Sequence, residues 1–325
     1  MKLIVQIPCL NEASSLPDVI RDIPRAIENI SDIEIVVIDD GSTDGTGDIA
    51  KDLGADCVIR STQRKGLAKA FITGIDISLK RGADIIVNLD GDGQYDPKDI
   101  PAMIKPILEG RAEMVIGNRH VEKLAHFSFI KKKLQKIGSW VVCKVSGTRA
   151  PDVTSGFRAF SKQAALALNV TSDFTYTIET LIQAGTENIA LDYVSVKARP
   201  VVRKSRLFRT IREYVTKSVY TILRIYTMYQ PLKVFSFGAV FVFLISAIFF
   251  ARFIQFHIQG SGTQHIQYLI VGSVVALLSF QIFMIGLLAG LIASNRKLIE
   301  DTLKRVKDVE LKAGTSPDDS EAPGT

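Results

Sequence analysis

The sequence predicts an α/β domain built on a doubly wound, mostly parallel sheet, followed by a two-helix transmembrane hairpin. Three observations predict it. Short runs rich in Val and Ile, at 3–7, 34–39, 55–60, 85–90 and 114–117, alternate with segments of helical pattern, the order that builds βαβ units. Those runs are largely continuous in apolar residues rather than alternating, as in strands covered on both faces. Late in the chain, 234–251 carries no charge and 268–293 is a second long apolar run, each near or beyond the roughly 20 residues that cross a hydrocarbon core. The totals agree: 325 residues allow one large domain plus attachments, and mean hydropathy is +0.20 with the apolar excess late in the chain. Net charge is +6, and the basic residues gather just before the apolar part. That distribution suits an anionic membrane surface and not nucleic acid. Cys9, Cys57 and Cys143 have neither metal nor redox spacing, and the first two read as small core residues. No secretory signal is recognisable at the start, which reads as a strand.

The first strand, 3–7, ends at Pro8 and leads through Cys9-Leu10-Asn11-Glu12 to a helix predicted over 15–30. The second, 34–39, closes on Asp39-Asp40-Gly41-Ser42-Thr43-Asp44-Gly45-Thr46. That segment is almost entirely turn formers and caps, so a helix follows to about residue 53. A short third strand, 55–60, precedes Gln63-Arg64-Lys65-Gly66 and a helix to about residue 80. The fourth strand runs 85–90; Asp96-Pro97 has the form of a helix start, and that helix is predicted over 97–109, before the fifth strand at 114–117. Further on, 177–184 is helix-like, with Glu179 expected at the core edge and satisfied by neighbours, and Tyr193, Val194 and Val196 alternate as in a last strand. Glu12, Asp39, Asp90 and Asp92 all fall at carboxyl ends of predicted strands, where open parallel sheets bind ligands. One crevice is expected to collect them.

In Leu89-Asp90-Gly91-Asp92-Gly93-Gln94 two carboxylates stand at i and i+2, on the same side of an extended chain. Both can present oxygens to one point, and Gly91 and Gly93 let the backbone turn and approach a ligand closely. Hard oxygen donors with positions left for phosphate describe a Mg²⁺ or Mn²⁺ site that holds a diphosphate. The competing explanation is a polar turn that caps the next helix. Asp-x-Asp alone does not decide between the two; its place at a strand end favours the metal.

Taken in order, Pro8 to Glu12, Val37 to Thr46, Lys65-Gly66, Asp90 to Gln94, Gly117-Asn118-Arg119 and Asp152 to Arg158 resemble the family-two glycosyltransferases of GT-A fold, over about the first 210 residues. Asp40-Gly41-Ser42-Thr43-Asp44 and Ser155-Gly156-Phe157-Arg158 are most similar to the dolichyl- and polyprenyl-phosphate sugar transferases, dolichyl-phosphate mannose synthase among them. The resemblance implies that Pro8, Asn11, Glu12, Asp39, Ser42, Lys65 and Asp90 hold a nucleotide sugar, with Arg203 and Arg206 on its diphosphate. It implies Asp90, Asp92 and Gln94 as metal ligands. Arg119 and Arg158 read either as ordinary surface arginines or, favoured in this context, as phosphate contacts; with Lys133 of the basic segment they are the expected contacts for an acceptor phosphate, and Asp92 and Arg119 the expected catalytic residues. Two departures are visible: no aromatic residue stands near Leu10, and Arg203-Lys204-Ser205-Arg206 replaces a Gly-x-Ser-Lys.

Basic segments flank these motifs. The stretch 124–145, with Lys131-Lys132-Lys133, Lys136 and Trp140, reads equally as a surface helix and as one lying on the bilayer to guide a lipid phosphate. From Tyr193 to Arg212 there are seven Lys or Arg and no acid. A solvated run is the usual reason for such a cluster, but its place before a membrane segment points to headgroups and a substrate diphosphate. Lys233, Arg296 and Lys297 flank the outer ends of the hairpin and only Arg252 lies near its connection, which places both outer ends and the catalytic domain in the cytosol. Gly286 and Gly290 form a Gly-x-x-x-Gly pair that reads equally as helix packing or as lipid-facing glycine. The expected organisation is a GT-A domain over 1–206, juxtamembrane amphipathic helices over 207–231, a hairpin over 232–295 (about 234–253 and 268–293), and a cytosolic tail over 296–325, disordered at its end.

The expected protein is a multi-pass hexosyltransferase of the cell (inner or plasma) membrane. It moves one sugar from a UDP- or GDP-hexose to polyprenyl or dolichyl phosphate, with Mg²⁺ or Mn²⁺, making a lipid-phosphate sugar donor for glycan assembly. The resemblance implies inversion at the anomeric carbon. A phosphate monoester is largely a dianion at neutral pH, so no catalytic base is required. A homo-oligomer is compatible with the sequence; nucleic acid is not an expected partner. Two rival readings compete with this one. A processive polysaccharide synthase should carry Gln-x-x-Arg-Trp and more membrane spans, and an inactive nucleotide-sugar-binding scaffold is disfavoured by retention of both aspartates.

Overall fold

The apolar runs become β1 (Lys2–Cys9), β2 (Asp32–Asp39), β3 (Cys57–Arg60), β4 (Ile85–Asn88) and β5 (Met114–Asn118), joined by β6 (Arg158–Ser161) and β7 (Leu191–Ser195). This is a computed structural model that describes residues 1–120, 138–144, 146–170, 176–199, 215–216, 219–220, 223–224, 226–228 and 230–313. The strands form one sheet of order β3-β2-β1-β4-β6-β5-β7. All neighbouring pairs are parallel except those of β6, which runs antiparallel to both β4 and β5. Leu3, Val5, Ile7, Ile35, Val37, Ile85 and Val87 have no exposed surface and share one core cluster, while Ile4, Val36 and Ile86 are buried on the opposite face. Burial on both faces is why these runs lack alternation.

The helices follow the predicted order with two differences. Helix α1 (Leu16–Asp22) is half the predicted length, because Ile23 precedes Pro24 and is extended at φ −68°, ψ 122°, as a following proline demands. The sequence reading assigned no strand to 158–161, which is β6; four residues without an alternating pattern give no period to detect. Helices α2 (Thr46–Asp52) and α3 (Leu67–Lys80) stand where expected, and Asp96 caps a 3₁₀ turn, Pro97–Asp99, that opens α4 (Ile100–Leu108). Helix α5 (Lys162–Ala167) and α6 (Tyr176–Thr186) complete the domain, with Glu179 of α6 fully buried rather than at the core edge. All three cysteines are free, with Cys9 buried.

The chain divides into two compact units, Met1–Ser218 with Thr302–Thr325, and Val219–Asp301. The first carries the sheet. The second is formed by α7 (Pro231–Ile258) and the apolar part of α8 (Ile266–Ala313). Both helices are long and apolar enough to cross a membrane, and only 11% of each most apolar window is buried. They pair antiparallel: Phe249 meets Tyr268, Ser246 Oγ donates to the Gly272 carbonyl at 2.7 Å, and Ser279 Oγ donates to the Ala239 carbonyl at 2.8 Å. Hydroxyls satisfied across helices suit a lipid solvent, where a lone polar group finds no water. Gly286 of the Gly-x-x-x-Gly pair packs on α7, since a Cβ there would lie 2.7 Å from Phe235 Cβ.

Candidate active site

Four strand ends supply the site. Just beyond β1, Asn11 takes φ 54°, a left-handed conformation that asparagine tolerates. Its N–H donates to Ser42 Oγ and its side-chain carbonyl accepts from the Thr43 N–H, both at 2.8 Å. The Glu12 N–H donates to Thr46 Oγ1 at 2.9 Å. The loops after β1 and β2 are thus stitched together, which accounts for the run of short polar residues over 39–46. Asp40 accepts the N–H groups of Lys65 at 2.7 Å and Gly66 at 2.9 Å, fixing the entry to α3 and leaving the Lys65 side chain exposed.

Asp39 is fully buried at the end of β2. Its Oδ1 accepts the Ser42 N–H at 2.8 Å; among the described residues Oδ2 has no hydrogen bond, although Arg60 Nε stands 3.6 Å away. A Cβ at Gly47 would come 2.8 Å from Oδ2, so the chain is glycine where it passes that oxygen. A buried carboxylate oxygen without a donor is costly.

Beyond β4, Gly91 packs against the end of β1 so closely that a Cβ would meet Cys9 Sγ at 2.6 Å. Ser15 Oγ lies 2.8 Å from Glu12 Oε2 and 2.9 Å from the Gly91 carbonyl, linking the two loops. Asp92 Oδ1 accepts the Gln94 N–H at 3.0 Å, and both residues are partly exposed. Burial, and then the charge of Asp92, push Asp90 up to about 7. A buried carboxyl with a second carboxylate two residues on invites a divalent cation. Among the described residues no third His, Cys, Asp or Glu joins them. Two carboxylates with the remaining positions free for phosphate and water match the way Mg²⁺ is held with a diphosphate, so Asp90 and Asp92 fit the group that the sequence implied.

The antiparallel sense of β6 has a purpose at this edge. Its first residue, Arg158, pairs with Asn88, the last of β4, so the segment 152–157 enters at the carboxyl ends of the parallel strands. Gly156 lies against Asp90: a side chain there would run into Asp90 Oδ2 and the Tyr176 hydroxyl. The Gly156 N–H donates to the Tyr95 hydroxyl at 2.8 Å, and its carbonyl accepts from Asn88 Nδ2 at 2.8 Å. Arg119, just after β5, donates to both Asp152 oxygens at 2.7 and 3.0 Å and to Thr154 Oγ1 at 2.8 Å, with Cζ 5.7 Å from the centre of the Tyr95 ring. Burial pushes Asp152 up, but Arg119 outweighs it and holds the carboxyl below its ordinary range. Among the described residues Nη1 of Arg119 has no hydrogen-bond partner.

Pro8, Asn11, Glu12, Asp39, Ser42, Asp90, Asp92, Gln94 and Arg119 therefore all stand at or just beyond strand carboxyl ends. Arg158 is a correction. Its side chain is fully buried and donates to the carbonyls of Ser155 and Val153, both at 2.9 Å, and to Thr180 Oγ1. It shapes the 152–157 segment and is not available to an acceptor phosphate. Lys133, Arg203 and Arg206 lie outside the described residues. Asn88, Tyr95, Asp152 and Tyr176 were missed as individual site residues. Asn88 had a signal, since it stands two residues before Asp90 on the same strand face; Tyr176, 86 residues from Asp90, had none.

Known proteins extend this geometry. Residues 4–166, half of the chain, match Glycosyl transferase family 2. The chain belongs to that family. A relative from Micrococcus luteus named undecaprenyl-phosphate mannosyltransferase is 31% identical over 176 residues, covering 52% of this chain and 70% of that protein. A UDP-N-acetylglucosamine–dolichyl-phosphate N-acetylglucosaminyltransferase of Methanococcus voltae is 32% identical over 182 residues, covering 50% of this chain and 70% of that protein. Among solved structures, glucosyl-3-phosphoglycerate synthase from Mycobacterium tuberculosis superposes with a TM-score of 0.55 at 18% identity, over 70% of this chain and 78% of that one. The last match shows the GT-A-like fold. As a family 2 glycosyltransferase the protein is an enzyme.

Proposed function

We propose that this glycosyltransferase moves a single sugar from a nucleotide diphosphate sugar to a polyprenyl or dolichyl phosphate at the cytosolic membrane surface, with inversion. The observation that carries this reading is the Asp90–Asp92 pair just beyond β4, at the same carboxyl edge of the sheet as Asp39 at the end of β2 and Arg119 just after β5. The names of the relatives supply the acceptor class, a lipid phosphate, and differ in the sugar. Two apolar helices supply a membrane anchor beside a lipid substrate.

In this reading Asp39 Oδ2, buried and without a hydrogen bond among the described residues, accepts an N–H of the nucleoside base. Asn11 and Ser42 hold the loop that carries it. Asp90, Asp92 and Gln94 hold Mg²⁺ or Mn²⁺, which when bound neutralises charge building on the leaving diphosphate; the crystal of the mycobacterial synthase contained Mn²⁺ and UDP. Arg119 presents Nη1 to the acceptor phosphate, and Lys65, Lys133, Arg203 and Arg206 add cations for the phosphates. An acceptor phosphate oxygen forms a bond to the anomeric carbon as the bond to the diphosphate oxygen breaks, and the electron pair leaves with the diphosphate. The acceptor enters as a dianion and leaves as a singly charged diester, so no proton has to be moved.

The test is transfer from UDP-glucose, UDP-N-acetylglucosamine and GDP-mannose to undecaprenyl and dolichyl phosphate, with products read by mass. One donor is expected to give a lipid-phosphate sugar; no such product with any pair sinks the proposal. The Lys and Arg asymmetry places the α7–α8 connection outside. A cysteine at Ser261, in a protein lacking its native cysteines, should react with an impermeant thiol reagent in intact cells, and one at Ser316 should not. The reverse pattern inverts the topology.

A further inference from the structure

Beneath Asp90 lies a chain of buried polar groups that the transfer chemistry above does not use. Gln6 Nε2 donates to the Phe71 carbonyl at 3.3 Å and to Asn88 Oδ1 at 2.9 Å. Asn88 Nδ2 donates to the Gly156 carbonyl at 2.8 Å and to the Tyr176 hydroxyl at 2.9 Å. The Tyr176 hydroxyl stands 3.4 Å from Asp90 Oδ1 and 3.3 Å from the Gly156 carbonyl. Gln6, Asn88 and Tyr176 are at most 1% exposed.

The inventory of protons gives this chain a direction. Both amide hydrogens of Asn88 are committed, one to a backbone carbonyl that can only accept, so the orientation of its amide is fixed. Its oxygen consequently faces the Gln6 amide, which is fixed in turn by the Phe71 carbonyl. The Tyr176 oxygen receives a hydrogen from Asn88 and has one proton left to give. The Gly156 carbonyl already has a donor; the carboxylate is the stronger acceptor. The phenol stays protonated, because burial holds it well above its ordinary value. The ring is locked as well, stacked on Phe71 at 4.0 Å between centres and 4° between planes.

We infer that Tyr176, turned by Asn88, is a positioning residue for Asp90, donating a hydrogen bond to Oδ1 so that the carboxylate is aimed when a divalent cation arrives. The inference rests on the reading of Asp90 as a metal ligand. Groups that orient ligands in this way typically change metal affinity by 10–100-fold when lost. The bond here is long and Asp92 shares the ion, so the lower end of that range is expected.

The experiment titrates full-length protein in detergent with Mn²⁺, in the presence of UDP or of GDP, following the signal of free Mn²⁺ by electron paramagnetic resonance. Melting is recorded with and without the metal. Tyr176→Phe removes the hydroxyl and keeps the stacked ring. It is expected to weaken Mn²⁺ binding about tenfold, to leave the metal-free melting temperature within a few degrees of the parent, and to shrink the rise that Mn²⁺ produces. Asn88→Ala keeps the hydroxyl but removes the donor that turns it, and should weaken Mn²⁺ in the same direction by a smaller factor. Parent protein that binds no Mn²⁺ with either nucleotide removes the metal reading itself. Parent that binds, with both variants binding equally well, overturns the role of Tyr176 alone. A variant that melts much lower without metal yet binds Mn²⁺ normally when folded also overturns it, since that marks a purely structural residue.

Discussion

Asp92→Ala is expected to lower sugar transfer at least ~10²-fold, by analogy with loss of one electrostatic stabiliser of a transition state, while the melting temperature stays near that of the parent. The structure explains the split. Asp92 is partly exposed, and among the described residues its one side-chain hydrogen bond is from the Gln94 N–H in its own turn. Losing it costs little stability, on the order of 1 kcal/mol, and removes the charge that opposes Asp90. The loss should therefore appear in turnover and metal dependence. EDTA should abolish transfer, and Mn²⁺ or Mg²⁺ should restore it. Full activity in chelator, or an Asp92→Ala enzyme as fast as the parent, would remove the metal from the mechanism.

Arg119→Ala should act first on folding. Its side chain is 9% exposed and Asp152 not at all, so the substitution strands a buried carboxylate. Breaking a buried pair from one side costs about 3–5 kcal/mol, which in a domain of this size lowers the melting temperature by about 10 °C. Arg119→Ala combined with Asp152→Ala removes both charges and should recover most of that loss. The pH dependence has a definite sign. Asp152 is held below its ordinary value, so the pair's contribution is complete above the unfolded carboxylate value of about 4. It is lost as pH falls through the lower folded value. Arg119→Lys keeps a charge but not the two-pronged contact; it should retain part of the stability and raise the acceptor Michaelis constant more than that of the donor. An Arg119→Ala protein that melts with the parent shows that the pair does not hold the 152–154 segment.

Much of the site could be read from the chain because its chemistry is local. Asp90 and Asp92 are neighbours on one strand end, and the polar run over 39–46 is stitched to 11–12 by short side chains whose capping habits are evident in sequence. Arg119 and Arg158 were both singled out by the motifs that resemble the family, and the resemblance led Arg158 to be read as a phosphate contact. Only the fold shows its guanidinium closed off by the carbonyls of Val153 and Ser155 and by Thr180.

What the sequence determined by itself were the features that repeat or cluster within a few residues: apolar strands that alternate with helices, carboxylates at their ends, and two apolar helices. Periodicity and turn chemistry are properties of neighbours along the chain, so no tertiary knowledge was needed. The tertiary structure alone decided the direction of β6, the pairing of Arg119 with Asp152, and the approach of Gly156 and Tyr176 to Asp90. Those contacts join residues 33 to 86 positions apart. Their energies come from burying and matching groups that only the folded sheet brings together, and no local pattern encodes them.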